Sequence, residues 1–324
     1  MLKRKFKSRL PVVLVVAAVS FILGAQTKEY LRYRVYLPLT MLFARPPAPP
    51  VSPPAPKVSD YDEVKCPANA LGIGYFGQSN SANSVRPPAS IEIPENLFQY
   101  DWKTEKCYRY KEPLLGTDGY LGNTITYAAV RIARTLGRPV IIIPFGCSGT
   151  SVLAWAYGYL SPHHEEVLVS LKKSGLSPKV FLWHQGESDV AEQNKRNGAD
   201  EPYNAGDFRE VPHFQLIPFI GLSREGYKSA LNIVVNKTLE SFPDAQFGVA
   251  LVSRCMERPA SRALRNAQTD VIRKNKKVFL SADSDEIAGD GMRYDGCHFS
   301  ELGAKKLSDE YYRAILKHLN SGVE

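Results

Sequence analysis

A serine in the first third of the chain and an aspartate–histidine pair near its C-terminal end are the residues best suited to covalent chemistry. Ser79 lies in YFGQSNSAN, directly behind an apolar run, and Asp295 precedes His298 by three residues in YDGCHFS. A serine nucleophile needs a base, and the base needs a group that orients it. Each motif also has a simpler interpretation. The polar residues after the apolar run could cap a helix, and the Asp-Gly dipeptide could form a turn before a surface histidine.

The elements that would position these residues can be predicted from the alternation of two kinds of segment. Short apolar runs predict buried strands at residues 71–77, 139–146, 179–186, 246–253 and 277–283. Helical periodicity predicts helices at residues 123–136, 164–174, 224–241, 260–274 and 300–319. Strands that alternate with helices along the chain are typical of an α/β fold, in which a mostly parallel sheet has helices on both faces. The less regular residues 84–121 predict either a hairpin or an active-site loop.

Three polar clusters follow three of the predicted strands. Ser79 comes just after the first strand, residues 146–150 after the second, and Gln185 to Asp189 after the third. In parallel sheets, ligands bind at the carboxyl ends of the strands, so we expect these clusters to share one edge. His298 stands just before the last predicted helix, which Ser300 should begin as its N-cap.

The motifs GQSNS, WHQGESD and DGCH, in this order, resemble those of the SGNH/GDSL hydrolase superfamily. They are most similar to its sialate O-acetylesterase-like and carbohydrate esterase family 6 branch. EPLLGTDGYLGN and PFGCSGTSVLAW are similar to two further segments of that branch, and the resemblance covers about residues 68–316. It implies a three-layer α/β/α sandwich of the flavodoxin-like kind and a serine ester hydrolase.

Catalytic roles follow from the resemblance. It implies that Ser79 is the nucleophile, that His298 is the general base and that Asp295 orients it. The donors to the oxyanion would be the backbone N–H of Ser79, the N–H of Gly122 and the side-chain amide of Gln185. Gly119 is a rival to Gly122, because GTDGYLGN departs from the usual pattern of the branch.

Several polar residues around these motifs have weaker assignments. Gln78, Asn80 and Glu187 are candidates for substrate binding, although Gln78 and Asn80 could equally be hydrogen-bonding loop residues, with Asn80 as a helix cap. Glu187 and Asp189 could do acid–base work, hold a metal or brace their loop. The sequence shows no metal-ligand spacing, and we predict neither a metal nor another cofactor. Two tryptophans, Trp155 and Trp183, could stack on sugar rings or pack in the core.

The expected activity is removal of O-acetyl groups from an exported carbohydrate or polysaccharide through an acyl-enzyme on Ser79. One alternative uses the same triad in a membrane-anchored polysaccharide O-acetyltransferase, with a polysaccharide-assembly complex as its partner. Another is a non-catalytic pseudoenzyme that binds carbohydrate. The three share a site and differ in the fate of the acyl group.

The net positive charge of the chain comes from its N-terminal part. The formal net charge is +8, and residues 1–57 contain ten Lys or Arg residues but one Glu, which leaves the remainder at −1. That remainder has no basic stripe with interleaved aromatic residues. We therefore predict no nucleic-acid partner.

The N-terminal segment predicts a membrane anchor. Residues 10–27 carry no charge and, at eighteen residues, reach the length of a membrane-spanning helix. The basic residues 1–9 favour a cytoplasmic N-terminus, which places the catalytic domain on the periplasmic or extracellular side. Gly24 and Ala25 are small residues of the kind found at signal-peptide cleavage sites. The alternative is therefore a cleaved signal peptide and a secreted protein.

A proline-rich linker separates this anchor from the remainder. Residues 28–59 form a juxtamembrane segment and a linker in which seven of the thirteen residues from 45 to 57 are proline. We expect residues 60–324 to form the catalytic domain. Export permits disulfides, and Cys66 with Cys107 and Cys255 with Cys297 are the pairs that we predict.

Overall fold

A computed structural model of the chain describes residues 56–190, 222–255 and 259–320. The predicted anchor at residues 10–27 and most of the linker at residues 28–59 lie outside the described residues, so these remain predictions. Within the described ranges, no helix is both long and apolar enough to cross a bilayer.

One sheet of eight strands runs through the centre of the fold, in the order β1-β4-β3-β5-β2-β6-β7-β8. The strands are β1 (Glu63–Val64), β2 (Leu71–Gly77), β3 (Leu97–Asp101), β4 (Lys106–Arg109), β5 (Val140–Gly146), β6 (Val180–His184), β7 (Gln246–Leu251) and β8 (Val278–Asp283). The six strands β3, β5, β2, β6, β7 and β8 lie side by side in that order, and each is parallel to its neighbours. β4 is antiparallel to both of its neighbours, β1 and β3.

Two groups of helices cover the sheet. The helices are α1 (Thr126–Leu136), α2 (Val152–Ala156), α3 (Leu160–Lys173), α4 (Arg224–Ser241), α5 (Arg262–Lys274) and α6 (Glu301–Asn320). Side chains alternate between the faces of a strand. On β2, Ile73 and Tyr75 join the core cluster that holds α1 and α6 residues, whereas Phe76 contacts His164 of α3. The fold is the predicted three-layer α/β/α sandwich with a mostly parallel sheet.

The five predicted strands are all present, and each begins and ends within two residues of its predicted bounds. β2, β5 and β6 are buried along their whole length, which explains why their sequences are continuously apolar. Residues 84–121 contain the β3–β4 hairpin, as one of the two interpretations predicted. Helix α3 begins at Leu160, four residues before its predicted start, because Pro162 is tolerated in a first turn.

β2 lies at the point where the order of the parallel strands reverses. Its neighbours are β5 on one side and β6 on the other, so the loops that follow all three strands diverge around the carboxyl end of β2. A crevice at such a point is the usual ligand site of an open α/β sheet. Ser79 follows β2 at this position.

Candidate active site

The loop that carries Ser79 leaves β2 at Gly77. Gly77 has a φ of 141°, and a Cβ there would lie 2.1 Å from the carbonyl oxygen of His184, so glycine is required. A short 3₁₀ turn, Ser79–Ser81, follows. Ser79 is 7% exposed. Within the described residues, neither its Oγ nor its backbone N–H has a hydrogen-bond partner, which leaves both free to interact with a substrate.

Gln78 and Asn80, on either side of Ser79, are buried and brace the loop. Gln78 Oε1 accepts hydrogen bonds from Gln185 Nε2 and from the backbone N–H of Ser188, each at 3.2 Å. Asn80 Nδ2 donates to Glu187 Oε1 at 2.8 Å and to the carbonyl oxygen of Cys297 at 3.2 Å. The Asn80 side chain therefore does not cap a helix. The structure favours the loop-bracing interpretation of both residues over direct substrate binding.

Asp295 and His298 form a hydrogen-bonded pair in a tight loop before α6. His298 Nδ1 lies 2.7 Å from Asp295 Oδ2, and Asp295 Oδ1 accepts the backbone N–H groups of Cys297 and His298. Gly296 between them has a φ of 81°, in the left-handed region that glycine adopts most readily. Ser300 begins α6 as predicted, since its Oγ accepts the N–H of Gly303.

The protonation state of Asp295 determines which nitrogen of His298 is available. Burial would raise the pKa of Asp295, but the hydrogen bonds and charge of His298 lower it to about 2. An ionised carboxylate can only accept hydrogen bonds. Nδ1 therefore carries a proton, and Nε2 of the neutral ring is the acceptor. Nε2 has no hydrogen-bond partner in the part of the chain that the structure describes.

Hydrogen bonds bring the two loops together. Asn80 donates to Cys297, so residues adjacent in sequence to Ser79 and His298 are directly bonded. The backbone N–H of Arg86 donates to the carbonyl oxygen of Phe299 at 3.3 Å. The structure contains no direct hydrogen bond between Ser79 Oγ and His298 Nε2. Such bonds are often long without substrate and shorten in the reactive complex.

Arg293 is a structural residue that the sequence analysis did not identify. Its Nη1 donates to the carbonyl oxygen of Cys297 at 2.5 Å, and its Nη2 to that of Ser284 at 2.7 Å. The guanidinium carbon also lies 4.1 Å from the ring centroid of Phe299. Arg293 thus supports the Asp295–His298 loop through its contacts with Cys297 and Phe299. No motif signals this role, because its partners are backbone carbonyls.

Two disulfides are present, and both predicted pairings are confirmed. Cys66 is bonded to Cys107, and Cys255 is bonded to Cys297. The second bridge adjoins His298 and ties its loop to the segment that follows β7. Cys147, after β5, is a free thiol.

Two of the predicted oxyanion donors have other partners. The N–H of Gly122 donates to the carbonyl oxygen of Val85 at 2.9 Å. Gln185 is buried, and its Nε2 donates to Asp189 Oδ2 at 2.7 Å and to the carbonyl oxygen of Thr150 at 2.9 Å. These two acceptors and Gln78 Oε1 occupy the amide group of Gln185, so the structure does not support Gly122 or Gln185 as donors. The rival glycine, Gly119, has an N–H without a hydrogen-bond partner among the described residues.

The carboxylates of the QGESD motif face the interior. Glu187 Oε1 lies 3.7 Å from His184 Nε2, with both side chains buried, which places Glu187 away from substrate. Burial would raise the pKa of Glu187, but the nearby His184 ring and the hydrogen bond from Asn80 lower it. Asp189 accepts the N–H of Val152 at 2.9 Å and also the Ser151 hydroxyl, and burial raises its pKa to about 6.

Both carboxylates brace loops, as the sequence analysis allowed. Among the described residues, no cluster of three His, Cys, Asp or Glu side chains could hold a metal ion. Trp155 and Trp183 are fully buried and stack edge to face, so they pack in the core rather than on a sugar.

Comparison with solved structures identifies proteins with a related architecture. The chain is similar to a protein from Arabidopsis thaliana, at 15% identity and a TM-score of 0.55, over 76% of this chain and 98% of that chain. This similarity shows a shared fold. No protein-family model matches the chain, and no curated protein matches it by sequence.

Two further similarities have lower TM-scores. One is to a carbohydrate acetylesterase from Xanthomonas citri, with 10% identity, a TM-score of 0.49 and coverage of 76% of this chain and 55% of that chain. The other is to a family two carbohydrate esterase from Clostridium thermocellum in complex with cellohexaose. There the identity is 14%, the TM-score 0.46, and the coverage 77% of this chain and 65% of that chain.

Proposed function

We propose that the chain is a serine esterase that removes O-acetyl groups from a carbohydrate through an acyl-enzyme on Ser79. The observation that supports this most directly is the Asp295–His298 hydrogen bond at 2.7 Å, which leaves Nε2 of the ring free. The loop of that pair is bonded to the loop of Ser79 through Asn80. A serine, a histidine base and an orienting carboxylate are the parts that nucleophilic acyl transfer needs.

Acylation begins when His298 Nε2 takes the proton of the Ser79 hydroxyl. Ser79 Oγ then bonds to the acetyl carbonyl carbon, and the carbonyl oxygen becomes an oxyanion. The free N–H groups of Ser79 and Gly119 are the donors that we assign to it. When the tetrahedral intermediate collapses, the bond to the sugar oxygen breaks, and that oxygen receives the proton from His298 Nε2. Asp295 remains ionised and stabilises the charged ring in between.

Deacylation repeats these steps with water in place of the serine. His298 Nε2 takes a proton from water while the water oxygen bonds to the acetyl carbon. Collapse releases acetic acid and returns the proton to Ser79 Oγ. The second oxygen of the acetate is therefore the oxygen of the water molecule. The enzyme is regenerated, and the sugar hydroxyl was already released in the acylation step.

The carbohydrate substrate and the exported location are parts of this proposal. The substrate class follows from the GQSNS, WHQGESD and DGCH motifs and their resemblance to the carbohydrate-esterase branch. Two disulfides support an oxidising compartment, in agreement with an anchor at residues 10–27 that leaves the domain outside the cytoplasm.

The proposal is tested by hydrolysis of p-nitrophenyl acetate with matched serine and histidine variants. Ser79→Ala and His298→Ala should each lower kcat by at least about 1000-fold, since removing either member disables the triad. Ser90→Ala and His163→Ala serve as controls, because both residues are exposed and lie outside the site. A fluorophosphonate probe should label Ser79 in the wild-type protein. A folded Ser79→Ala variant with wild-type turnover would refute the proposal.

A further inference from the structure

Lysine and arginine side chains are concentrated at the end of the sheet opposite the candidate active site. The turn from α5 to β8 has the sequence RKNKK at residues 273–277, with four cations and no acidic residue. Two further lysines come from the residue before β6 and from the last turn of α6. All of these side chains are exposed. We call the six together the basic end: Lys179, Arg273, Lys274, Lys276, Lys277 and Lys317.

The basic end is one surface, because its three segments meet where β7 begins. The carbonyl oxygen of Lys179 accepts the backbone N–H of Gln246 at 3.0 Å, and that of Lys277 accepts the next N–H along β7 at 2.8 Å. The side-chain amide of Gln246 donates to the carbonyl oxygen of His318 at 3.2 Å. His318 is the neighbour of Lys317 at the end of α6. The amino ends of β6, β7 and β8 therefore share this positive charge.

Most of the charge at the basic end is not neutralised within the fold. Two of the six side chains have a partner. Lys179 Nζ lies 3.9 Å from a carboxylate oxygen of Asp244, and Lys277 Nζ donates to the uncharged carbonyl oxygen of Pro243. The other four make no hydrogen bond or ion pair with a described residue. Since residues 58–324 have a formal net charge of −1, the basic end reflects a separation of charge within the domain.

Stabilisation of helix dipoles explains only half of the basic end. Cations in the last turn of a helix interact favourably with its carbonyl end. This accounts for the members that lie in the last turns of α5 and α6. It does not account for Lys179, Lys276 and Lys277, which lie in loops after the helices have ended. Their charge indicates an anionic partner outside the fold.

The predicted anchor precedes the same end of the sheet along the chain. β1 and β3 are both antiparallel to β4, so β1 has the direction of the parallel strands. The described chain therefore enters the sheet at the amino ends of the strands. Residues 28–55 separate this entry from the uncharged residues 10–27. A bilayer that holds residues 10–27 is thus tethered to the end of the sheet that carries the positive charge.

We propose that the basic end binds the anionic phospholipid surface of the bilayer in which the chain is anchored. Lysine and arginine side chains are attracted to the negative potential of such a surface within about a Debye length, about 8 Å at physiological salt. Ser79 and His298 lie at the other ends of the strands, about 20 Å away. Binding therefore turns the active site away from the bilayer and toward material outside it.

Lysine modification of the full chain in vesicles tests this binding without any measurement of catalysis. A membrane-impermeant N-hydroxysuccinimide ester acylates exposed lysines, and mass spectrometry gives the rate at each position. Vesicles of phosphatidylcholine are compared with vesicles in which about a third of the lipid is phosphatidylglycerol. Lys306 is the internal control. It is exposed on the same helix as Lys317, but near the start of α6 at the active-site end.

The anionic vesicles should protect the lysines of the basic end. The rates at Lys274, Lys276, Lys277 and Lys317, relative to Lys306, should fall at least about 5-fold, the attraction expected of one cation close to anionic lipid. About 1 M NaCl should restore them, because it shortens the Debye length to about 3 Å. Equal relative rates in the two kinds of vesicle would overturn the proposal. Protection by soluble polyglutamate but not by anionic vesicles would also overturn it, and would identify an acidic protein partner.

The triple variant Arg273→Gln/Lys274→Gln/Lys276→Gln removes half of the charge from side chains that have no partner to lose. Lys317 should then lose its protection in anionic vesicles, while the far-UV circular dichroism stays that of the wild type. Arg262→Gln is the control, because Arg262 is exposed at the first residue of the same helix, at the active-site end. It should keep the protection. Undiminished protection of Lys317 in the triple variant would contradict the proposal, whether or not the chain is an esterase.

Discussion

Asn80 Nδ2 donates a hydrogen bond of 3.2 Å to the carbonyl oxygen of Cys297, and this contact joins two loops that are 217 residues apart in the chain. The same amide group donates to the buried carboxylate of Glu187 at 2.8 Å. Asn80 is fully buried, so both bonds are shielded from water. Together with the backbone hydrogen bond from Arg86 to Phe299, the Asn80 side chain thus holds the base in position relative to the nucleophile.

Replacing Asn80 with alanine should therefore reduce both stability and catalysis. The change leaves Glu187 Oε1 and the Cys297 carbonyl without this donor, so the free energy of unfolding should fall by about 2 kcal/mol. Because the two loops lose this one of their links, kcat should fall about 10- to 100-fold, with a smaller change in KM. Urea denaturation and steady-state kinetics measure the two effects.

Asn96→Ala is the matched control for this variant. Asn96 Nδ2 also makes two hydrogen bonds, to the carbonyl oxygens of Ala133 and Arg138, at the opposite end of the sheet. It should lower stability and leave kcat unchanged. If Asn80→Ala is destabilised but retains full kcat, the loops are held together by other contacts.

The orientation of the base can be tested with Asp295→Asn. An asparagine amide group next to Nδ1 would favour the tautomer that carries its proton on Nε2, and this tautomer cannot accept the serine proton. We expect kcat to fall by about 1000-fold or more, with little change in thermal stability. Asp290→Asn, an exposed position in the same loop, should have wild-type kcat. Near-normal turnover of Asp295→Asn would show that His298 needs no carboxylate.

The two disulfides provide an internal comparison of stability with catalysis. Their sequence separations are 41 and 42 residues, so the loop-closure contribution to stability should be nearly equal. Cys255→Ser/Cys297→Ser and Cys66→Ser/Cys107→Ser should each lower the free energy of unfolding by about 2–5 kcal/mol.

Only the first of these double variants should lose activity well below its Tm, because Cys297 adjoins His298 whereas Cys107 lies on β4. A drop in kcat of about 10-fold is the expected size, if the Asp295–His298 loop moves by about 1 Å. Equal kcat in both double variants, measured at a temperature where both are folded, would show that the bridge has no part in positioning the base.

These contacts also show how far the sequence predicts the structure. The parallel strands were predictable because burial on both faces makes β2, β5 and β6 continuously apolar. β3 and β4 were not assigned individually, since polar residues such as Gln99 interrupt the pattern and the hairpin is at the side of the sheet. The short spacing of Asp295 and His298 made their contact predictable, whereas the Asn80–Cys297 contact depends on the whole path of the chain.

The glycine of the oxyanion site illustrates a different limit. In the sequence Gly122 is the first candidate and Gly119 its rival, since nothing in GTDGYLGN decides between their backbone N–H groups. Which one is free depends on the bridge from Val85, whose carbonyl oxygen accepts the N–H of Gly122. No local sequence pattern predicts a single β-bridge between two loops. The choice between Gly119 and Gly122 therefore depends on the three-dimensional structure.

The acceptor of the acyl group should be water. The side chain of His298 is 21% exposed, which gives solvent access to the base in the absence of a bound sugar. Incubation of an acetyl ester with a non-acetylated oligosaccharide should release acetate and leave the oligosaccharide mass unchanged. An acetylated oligosaccharide in the mass spectrum would instead identify the chain as an O-acetyltransferase. No acyl release at all, together with retained glycan binding, would identify a pseudoenzyme.

Asp189 should make the stability of the protein depend on pH. Burial raises its pKa from 3.8 to about 6, although hydrogen bonds from Ser151, Val152 and Gln185 act in the opposite direction. Between these two pH values the folded state binds a proton that the unfolded state has released. The free energy of unfolding contributed by this group therefore falls as the pH rises through that window, by about 3 kcal/mol in total.

The variant Asp189→Asn isolates this contribution, because an amide does not titrate. It should be about as stable as the protonated wild-type protein at about pH 4, since its side-chain oxygen can accept from Val152 N–H and Gln185 Nε2 while its NH₂ group donates to Ser151 Oγ. The variant should then become the more stable of the two as the wild-type protein loses its proton, toward about pH 7. Urea denaturation of both proteins at several pH values measures the difference. Parallel curves over the whole range would mean that Asp189 is ionised at no cost in the folded protein.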